Sequence, residues 1–400
     1  MAFQQFTGRE YIKIDVANNF GHDKISWDAR IHWFDSNEGV LETLVKEAKE
    51  PALFYAGVKA WRDTQQGKPI GYMISLDATS SGIQLLAALT GDRNAAQLCN
   101  VVDTGHREDA YTAVYQEMVH RLGETAKISR EMTKLAIMTS FYSSTAMPKK
   151  VFGEGALLDV FYEVLKEGAP GAWELNEAFL SFWNPDALSH SWILPDNYHV
   201  DIKVMRNVSE PVHFLNEPYD VFYKENLPTE GGRSLGANTI HSIDGMIVRE
   251  ITRMCDYDRD VVDEAWEAVS QPAGIRNDRA KDHLLIKLWG HYKATGYLSA
   301  RILECLDQRN GGLVRMEPIE ELIDSLPAKP FKVVSIHDCF RVLPHYGKDL
   351  RKQYNLQLQK IANSDLLSSI ISQILERPIK IGKMDNSLHK DIAQSNYALS

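Results

Sequence analysis

A short strand, a turn of small residues and a helix form the most constraining pattern in this sequence. The apolar run Ile70 to Leu76 predicts a strand, and Asp77 stands at its carboxyl end. Small residues follow, and the apolar run Ile83 to Leu89 predicts a helix. A carboxylate at a strand end is a ligand that Mg²⁺ accepts. The alternative interpretation is that Asp77 is a turn residue and that a serine caps the helix.

A second carboxylate lies at a bend between two apolar segments. Val333 to Ile336 and Cys339 to Leu343 predict the two strands of a hairpin, with His337 and Asp338 at its bend. A hairpin with buried strands can hold Asp338 rigidly beside a neighbouring strand end. Two carboxylates brought together in this way could hold two metal ions about 3.5–4 Å apart. Aspartate is also common at bends that bind nothing.

Four residues of mixed chemistry recur at helical spacing. Arg130, Lys134, Met138 and Tyr142 follow each other every four residues, which predicts that they share one side of a single helix. Two cations suit the phosphates of a nucleoside triphosphate, and a thioether and a phenol suit its base and sugar. The alternative is an amphipathic helix that buries Met138 and Tyr142 and leaves the cations in solvent.

Composition limits the class of protein. A chain of 400 residues, 44% of them hydrophobic, can bury a core and suggests two or three domains. The four cysteines form no CxxC pair, so free thiols are expected. No apolar run approaches the roughly 20 residues of a membrane-spanning helix, so we expect a cytoplasmic protein. The net charge of −10 opposes nucleic-acid binding unless a basic channel or a basic partner supplies the contacts.

Taken in order, these segments resemble the motifs of the single-subunit DNA-dependent RNA polymerases of bacteriophages and mitochondria. "DATSSGIQ" from Asp77 is similar to polymerase motif A, "RxxxKxxxMxxxY" from Arg130 to motif B, and "IHDCF" around Asp338 to motif C. "NTIHSIDG", which contains His241, is similar to a short element ahead of motif C. "DVANNFGHDKISWDARIHW" resembles the palm insertion before motif A, and "DIAQSNYALS" resembles the carboxyl terminus near the active site.

The resemblance implies an α+β fold of the right-hand polymerase type. Such a fold has a palm, made of a small antiparallel sheet with helices, and a mainly helical fingers domain. The expected divisions are 1–68 as a helical region like the palm insertion, 69–93 as palm with motif A, 94–241 as fingers with motif B, and 242–400 as palm with motif C. An inserted helical segment is expected at about 256–330.

The resemblance also implies two-metal nucleotidyl transfer that adds nucleoside triphosphates to an RNA 3′ end on a DNA template. Asp77 and Asp338 would bind two Mg²⁺ ions. Arg130 and Lys134 would hold the triphosphate, and His337 would position the primer end. Asp77, Asp338, Lys134 and His337 would count as catalytic residues, and Arg130 would bind the substrate.

Recognition of the base and the sugar falls, by the same resemblance, to residues around the second motif. Met138 would pack beside the incoming base. Tyr142 and His241 would inspect the ribose 2′-hydroxyl, and Tyr111 would lie near the substrate. Tyr142 would also count among the catalytic residues.

Three details favour RNA over DNA as the product. Related DNA polymerases carry a glutamate in motif A that blocks the 2′-hydroxyl, whereas Gly82 fills that position here. They also have glutamate after the His-Asp pair of motif C, whereas Cys339 follows here. The element around His241 resembles the RNA enzymes. A DNA polymerase fragment, or a non-catalytic nucleic-acid-binding subunit with the same fold, remains the alternative. Ser143 departs from the family, which has glycine after the motif B tyrosine.

The position of motif A in the chain predicts a partner. Asp77 is only 77 residues from Met1, so the family's amino-terminal domain, thumb and "Asp-x-x-Gly-Arg" palm element are expected to be absent. This arrangement resembles the larger subunit of the heterodimeric RNA polymerase of N-four-like phages. We therefore expect a second subunit that carries the missing parts, low activity of the chain alone, and the cytoplasm of an infected bacterium as its location. A single-stranded-DNA-binding or promoter-recruiting factor is a further candidate partner.

Overall fold

Helices and three small antiparallel sheets make up the described part of the chain. The computed structural model describes residues 2–123, 127–215, 217–232, 234–272 and 279–400. The mixture of helices with small antiparallel sheets confirms the predicted α+β class. The assignment of palm and fingers, and the domain boundaries, stay predictions.

The helices are distributed along the whole described chain. They are α1 (Gly8–Ala17), α2 (Trp27–Asn37), α3 (Pro51–Gln65), α4 (Ser81–Thr90), α5 (Arg93–Leu98), α6 (Ala110–Leu122), α7 (Arg130–Ser140), α8 (Ala146–Phe152), α9 (Ala156–Gly168), α10 (Pro170–Ser181), α11 (Ser234–Cys255), α12 (Arg259–Ser270), α13 (Ala280–Thr295), α14 (Met316–Asp324), α15 (Gly347–Ala362), α16 (Leu366–Ile374) and α17 (Leu388–Ile392).

Within the described residues, the strands pair only with antiparallel neighbours. They are β1 (Ile74–Asp77), β2 (Ser189–Ile193), β3 (His199–Lys203), β4 (Arg206–Phe214), β5 (Glu217–Glu225), β6 (Val334–Ile336) and β7 (Cys339–Val342). Their order is β1-β7-β6 in the first sheet, while β2 pairs with β3 and β4 pairs with β5.

The three-stranded sheet joins two segments that are far apart in the sequence. Strand β7 lies between β1 and β6, and its register places Cys339 opposite both Asp77 and Ile336. The predicted hairpin is therefore confirmed, with His337 and Asp338 at its two-residue bend. His337 has a φ of 56°, the left-handed backbone that tight hairpin bends require. This register brings the bend to the carboxyl end of β1.

The last residues of the chain lie along the same strand end. The Ser400 amide donates to the Asp77 carbonyl at 2.9 Å, and the Asp77 amide donates to the Ser400 carbonyl at 3.2 Å. The Thr79 amide donates to the Ala398 carbonyl at 3.2 Å. The backbone around Asp77 is thus fixed by β7 and by the carboxyl terminus.

Helix α4 forms the centre of the main core. All ten of its residues are buried, as expected for a helix that is largely apolar. It packs against α10, α11 and α15 and ends at Gly91, whose φ of 69° is readily adopted by glycine. Its amino terminus, immediately after β1, is therefore held firmly.

Two smaller apolar clusters lie outside the main core. One, within α1 to α3, includes Phe34, Phe54 and Trp61. The other, with Leu285 and Ile319 among its members, joins α12, α13 and α14. These three helices lie in the predicted inserted segment 256–330, of which residues 273–278 fall outside the described part.

All four cysteines are free, as predicted, and Cys99, Cys255 and Cys305 are buried. Among the described residues, no helix combines the length and the apolar character that crossing a membrane requires.

Candidate active site

A cavity of about 460 Å³ opens at the carboxyl end of β1. Its walls come from the segment between α1 and α2, the start of α4, the start of α6, helix α7 and the bend of the β6–β7 hairpin. Eight residues predicted for the site line it: Asp77, Gly82, Tyr111, Arg130, Lys134, Met138, Tyr142 and Asp338. Residues from three distant stretches of sequence therefore share one space.

The two predicted metal ligands are neighbours. Ala78, next to Asp77, donates its amide to the carbonyl of Asp338 at 3.2 Å. Desolvation in the cleft, together with the negative charge of Asp338, raises the pKa of Asp77 above its ordinary value. A bound cation would offset both the desolvation of the Asp77 carboxylate and the negative charge of its neighbour.

The donor set suits Mg²⁺ better than a metal that needs several protein ligands. The described residues contain no group of three or more histidine, cysteine, aspartate or glutamate side chains arranged to hold a metal. Mg²⁺ commonly uses one or two carboxylates and takes its other ligands from water and substrate phosphates. The pair Asp77 and Asp338 fits that requirement.

Cations occupy the wall formed by α7. The Arg130 guanidinium contacts the Asp109 carboxylate at 2.5 Å and donates to the Thr112 hydroxyl at 2.7 Å. Desolvation acts to raise the pKa of Asp109, but the hydrogen bonds from Thr112 and Arg130 outweigh it and lower that pKa. The Lys134 ammonium lies 5.4 Å from the centroid of the Tyr111 ring. Arg130 is thus fixed in place, whereas Lys134 is exposed.

Three further cations, Lys24, Lys49 and Arg107, line the same cavity and were not predicted from the sequence. Desolvation and the positive charge of Arg130 lower the pKa of Lys24. Desolvation also lowers the pKa of Arg107, which donates to the Ser400 hydroxyl at 3.4 Å. Five cations therefore line the cavity, together with acidic side chains such as Asp23 and Asp109, and these cations could contact an anionic substrate.

The spacing predicted that Tyr142 belongs to the same helix as Arg130, and this prediction is wrong. Helix α7 ends at Ser140, and Tyr142 lies in the turn that follows. Ser143 has a φ of 63° there, and its buried hydroxyl donates to Asn176 at 2.7 Å. Glycine adopts this left-handed backbone more readily than serine does. This is a conformational reason for the glycine that the resemblance led us to expect at position 143. The turn brings the phenol of Tyr142 to Gly82.

The Tyr142 hydroxyl fills the space beside Gly82. A Cβ atom at position 82 would lie 2.8 Å from Tyr142 Cζ and still closer to the hydroxyl. Desolvation, followed by the charge of Asp244, raises the pKa of Tyr142 to about 12, so the phenol stays protonated at neutral pH. The ring of His241 stands 4.9 Å from the Tyr142 ring between centroids. His241 is therefore beside the predicted ribose sensor, although it does not line the cavity.

A third carboxylate stands behind this pair of rings. Asp244 accepts a hydrogen bond from the Ser81 hydroxyl at 3.3 Å. Desolvation, together with the charge of Asp338, raises its pKa to about 6. Asp244 lies one helical turn after His241 in the sequence, but the sequence gave no reason to predict it as a site residue.

Met138 and His337 differ in how closely they approach the cavity. Met138 lines it and is half exposed, so the interpretation as a core residue is wrong. His337 is exposed at the hairpin bend and lies outside the lining. Only a ligand that extends beyond the cavity would reach His337.

Asp15 anchors the strand that carries Asp77. Its buried carboxylate accepts hydrogen bonds from the Ser75 amide at 2.9 Å, from the Asn19 amide at 3.3 Å and from the Tyr72 hydroxyl. Ser75 is two residues before Asp77 in β1. The sequence offered a signal for Asp15, because "DVANNFGHDK" was recognised as similar to a family segment, but no side chain in it was assigned a role.

Asp15 should make the free energy of unfolding depend on pH. Desolvation raises its pKa to about 6 in the folded chain, against an ordinary value of 3.8. A group with a raised pKa contributes stability below pH 3.8 that is lost as the pH rises through about 6, here about 3 kcal/mol. Between pH 4 and pH 7 the wild type should therefore lose more stability than Asp15→Asn, as measured by urea unfolding.

The control for this experiment is Asp201→Asn, which removes one exposed carboxylate in β3. Its pH dependence should follow the wild type. If Asp15→Asn also follows the wild type at both pH values, the buried carboxyl does not titrate in this range and the assignment is wrong.

Comparison with known proteins identifies relatives for part of the chain. Residues 5–160 match the family described as DNA-dependent RNA polymerase. The chain is 28% identical over 173 residues to the DNA-directed RNA polymerase of Pseudomonas phage phiKMV, a match that covers 34% of this chain and 21% of that polymerase. It is 26% identical over 166 residues to the mitochondrial DNA-directed RNA polymerase of Neurospora crassa, covering 35% and 12%.

A longer match extends further along the chain. It is 21% identical over 323 residues to a probable DNA-directed RNA polymerase of Agaricus bitorquis, covering 63% of this chain and 29% of that protein. The matches thus span less than a third of the length of these relatives. The family and these relatives are DNA-directed RNA polymerases, and the family match covers the segment that carries Asp77, Gly82 and helix α7.

Proposed function

We propose that this chain carries the catalytic centre of a DNA-directed RNA polymerase. The observation that carries the proposal is the cavity in which Asp77 and Asp338 face the cations of α7. Nucleotidyl transfer needs a cation-binding pair of carboxylates and a positively charged wall for the triphosphate. The family match over residues 5–160 supports the same function.

Asp77 and Asp338 would hold Mg²⁺, for which their oxygen atoms and close approach are suited. When bound, the metal would favour deprotonation of the RNA 3′-hydroxyl and stabilise the charge on the leaving pyrophosphate. The protein's own part is to keep both carboxylates fixed. Strand β7 and the carboxyl terminus do so for Asp77 through its backbone.

The cationic wall would orient the triphosphate. Arg130, held by Asp109, presents a fixed guanidinium, and Lys134 adds an exposed positive charge. Lys24 and Arg107 would extend the same wall. Tyr111 lies under Lys134 and limits its position.

The other end of the nucleotide would be read by apolar and aromatic groups. Met138 would pack against the base. Tyr142, with His241 behind it, would sense the ribose 2′-hydroxyl, because the protonated phenol can donate a hydrogen bond. His337, at the exposed bend, would position the primer end. In this proposal the absence of a side chain at Gly82 allows the Tyr142 phenol to lie against its Cα, and this leaves space for the ribose.

The proposal includes partners. A DNA template, nascent RNA and nucleoside triphosphates are required by the reaction. We also propose that a second subunit supplies thumb and remaining palm, as in the heterodimeric enzyme of N-four-like phages, and that the complex acts in the cytoplasm of an infected bacterium. An accessory factor that binds single-stranded DNA or recruits the promoter would add contacts that a chain of net charge −10 lacks.

Primer extension tests the proposed function. The enzyme is purified from its native host together with the chains that accompany it, and is given a DNA template annealed to a short RNA primer. Ribonucleotides should extend the primer at least about tenfold more efficiently than deoxyribonucleotides, because the Gly82 position has no side chain that blocks the 2′-hydroxyl.

Three other outcomes of this experiment would contradict parts of the proposed function. Exclusive use of deoxyribonucleotides would indicate the DNA polymerase alternative. Binding of the primed template without extension, unchanged by Asp338→Asn, would indicate a non-catalytic nucleic-acid-binding subunit. Equal activity of the isolated chain and the complex would contradict the proposed second subunit.

A further inference from the structure

Asp244 joins two helices at the edge of the cavity. It lies on α11 and accepts the hydrogen bond of the Ser81 hydroxyl, which stands at the start of α4 and is 163 positions away in the sequence. Ser81 is buried and lines the cavity, whereas Asp244 is half-buried and lies outside the lining. A ligand that fills the cavity would therefore meet Ser81 and not the carboxylate of Asp244.

Ser81 also contacts the phenol of Tyr142. It precedes Gly82, against whose Cα the phenol lies. Desolvation and the charges of Asp244 and Asp338 raise the pKa of Tyr142, and a hydrogen bond with Ser81 acts in the opposite direction. The Ser81 hydroxyl thus stands between a carboxylate on α11 and the phenol in the turn after α7.

The carboxylate restricts the Ser81 side chain. A serine hydroxyl has a single hydrogen, and the side chain can adopt three staggered rotamers. A charged acceptor such as Asp244 favours the rotamer that points toward it, because hydrogen bonds to ionised groups are stronger than those to neutral groups. Without Asp244, the Ser81 hydroxyl would be free to turn and to compete with a ribose for the phenol of Tyr142.

The contact with His241 restricts a different part of Tyr142. The two rings lie 4.9 Å apart between centroids, with an angle of 46° between their planes. Such a contact limits the position of the ring, but the hydroxyl hydrogen still rotates about the C–O bond. The direction of the phenol hydrogen bond therefore depends on the polar neighbour, Ser81.

We propose that Asp244 and Ser81 are positioning residues for the selection of ribose by Tyr142. Asp244 holds the Ser81 hydroxyl, and Ser81 in this orientation leaves the phenol available to the space beside Gly82 in which the ribose would lie. The inference rests on the proposed function, because it requires that Tyr142 senses the 2′-hydroxyl of the incoming nucleotide.

Ribose selection in single variants tests the inference. It is measured as the ratio of kcat/KM for a ribonucleotide to kcat/KM for the matching deoxyribonucleotide, in primer extension by the assembled enzyme. Ser81→Ala and Asp244→Ala should each lower this ratio by about tenfold or more, the effect of losing a hydrogen bond to a charged group. Asp201→Ala, which removes an exposed carboxylate of β3, should leave the ratio unchanged.

A double variant distinguishes positioning of the phenol from a structural role. Tyr142→Phe should lower the ratio at least as much as Asp244→Ala does. When the two changes are combined, Asp244→Ala should cause no further loss of the ratio, because no hydroxyl group remains to be positioned. If Asp244 only joined α11 to α4, its removal would lower the ratio by the same factor with and without the Tyr142 hydroxyl.

A spectroscopic measurement follows the phenol without any reaction. The assembled enzyme is labelled with ¹³C at the Cζ atoms of tyrosine, and the signal of Tyr142 is assigned by its loss in Tyr142→Phe. Ser81→Ala and Asp244→Ala should both shift this signal, because Cζ carries the hydroxyl whose hydrogen bonds change. Asp201→Ala should not shift it.

Different results would overturn the inference and the proposed function. Tyr142→Phe could lower the ratio while Ser81→Ala and Asp244→Ala leave both the ratio and the Cζ signal unchanged. This result would overturn the inference and leave the proposed function intact. Equal losses caused by Asp244→Ala in both backgrounds would also overturn the inference. An unchanged ratio in Tyr142→Phe would contradict the proposed role of Tyr142 itself, and the inference would fail with it.

Discussion

Changing Asp338 to asparagine is expected to lower the rate of nucleotide addition by about 10³-fold, the loss typical of removing a group that stabilises transition-state charge. The change keeps the shape of the side chain and removes its charge. The hairpin bend should persist, because strand pairing of β6 with β7 positions it. The measurement is single-turnover extension of a primed template by the assembled enzyme.

The same variant has an effect that does not depend on activity. The charge of Asp338 contributes to the raised pKa of Asp77. In Asp338→Asn the pKa of Asp77 should therefore fall, as followed by NMR titration of the labelled carboxyl carbon. Binding of Mn²⁺, measured by electron paramagnetic resonance, should weaken in parallel.

Asp201→Asn is the matched control, since it neutralises an exposed aspartate in β3 that lies outside the cavity. It should leave extension and Mn²⁺ binding unchanged. Wild-type extension by Asp338→Asn would remove this residue from the catalytic centre. An unchanged pKa of Asp77 would show that the two carboxylates do not interact.

Local patterns were sufficient to predict the elements that carry the two aspartates. The β6–β7 hairpin follows from two apolar runs with polar residues between them, and α4 follows from an apolar run that ends before glycine. That Asp77 and Asp338 meet could not be derived from such patterns, because it depends on the pairing of β1 with β7 across more than 250 residues. The family resemblance supplied that step.

Regular spacing misled the prediction at Tyr142. A period of four is compatible with a continuous helix, but the chain leaves the helix after Ser140 and turns through the left-handed conformation of Ser143. Serine gives no local signal for such a backbone, whereas glycine would have done so. The structural consequence is that this turn places the phenol against Gly82.

Contacts between polar residues that are distant in the sequence could not be predicted from local patterns either. Asp15 reaches Ser75 across 60 residues, and Lys24 and Arg107 join the cation wall from two separate loops. Charged residues in loops are usually solvated, so each alone predicted nothing. Their common position emerges only when α1, β1 and α7 are assembled around the cavity.

Gly82→Ala is expected to disturb the nucleotide site without unfolding the chain. The added Cβ would lie 2.8 Å from Tyr142 Cζ, too close for any ordinary contact, so the phenol must move away. A displacement of about 1 Å in a positioning group can cost about 10²-fold in rate. We expect a loss of about that size in kcat/KM for ribonucleotides, together with weaker discrimination against deoxyribonucleotides. Gly290→Ala, in α13, is the control, because no atom lies within 4 Å of its added Cβ.

A double variant separates the displacement of the Tyr142 ring from the loss of its hydroxyl group. Tyr142→Phe removes the hydroxyl that meets the new methyl group, so it should lose ribose discrimination while the ring keeps its place. In Gly82→Ala combined with Tyr142→Phe the crowding is reduced, and kcat/KM should recover part of the loss seen with Gly82→Ala alone. Discrimination should not recover, because the donor is gone. The loss of kcat/KM in the double variant could instead equal the product of the losses in Gly82→Ala and Tyr142→Phe. In that case Gly82 and Tyr142 act independently, and their contact does not explain how this site would accommodate a ribose.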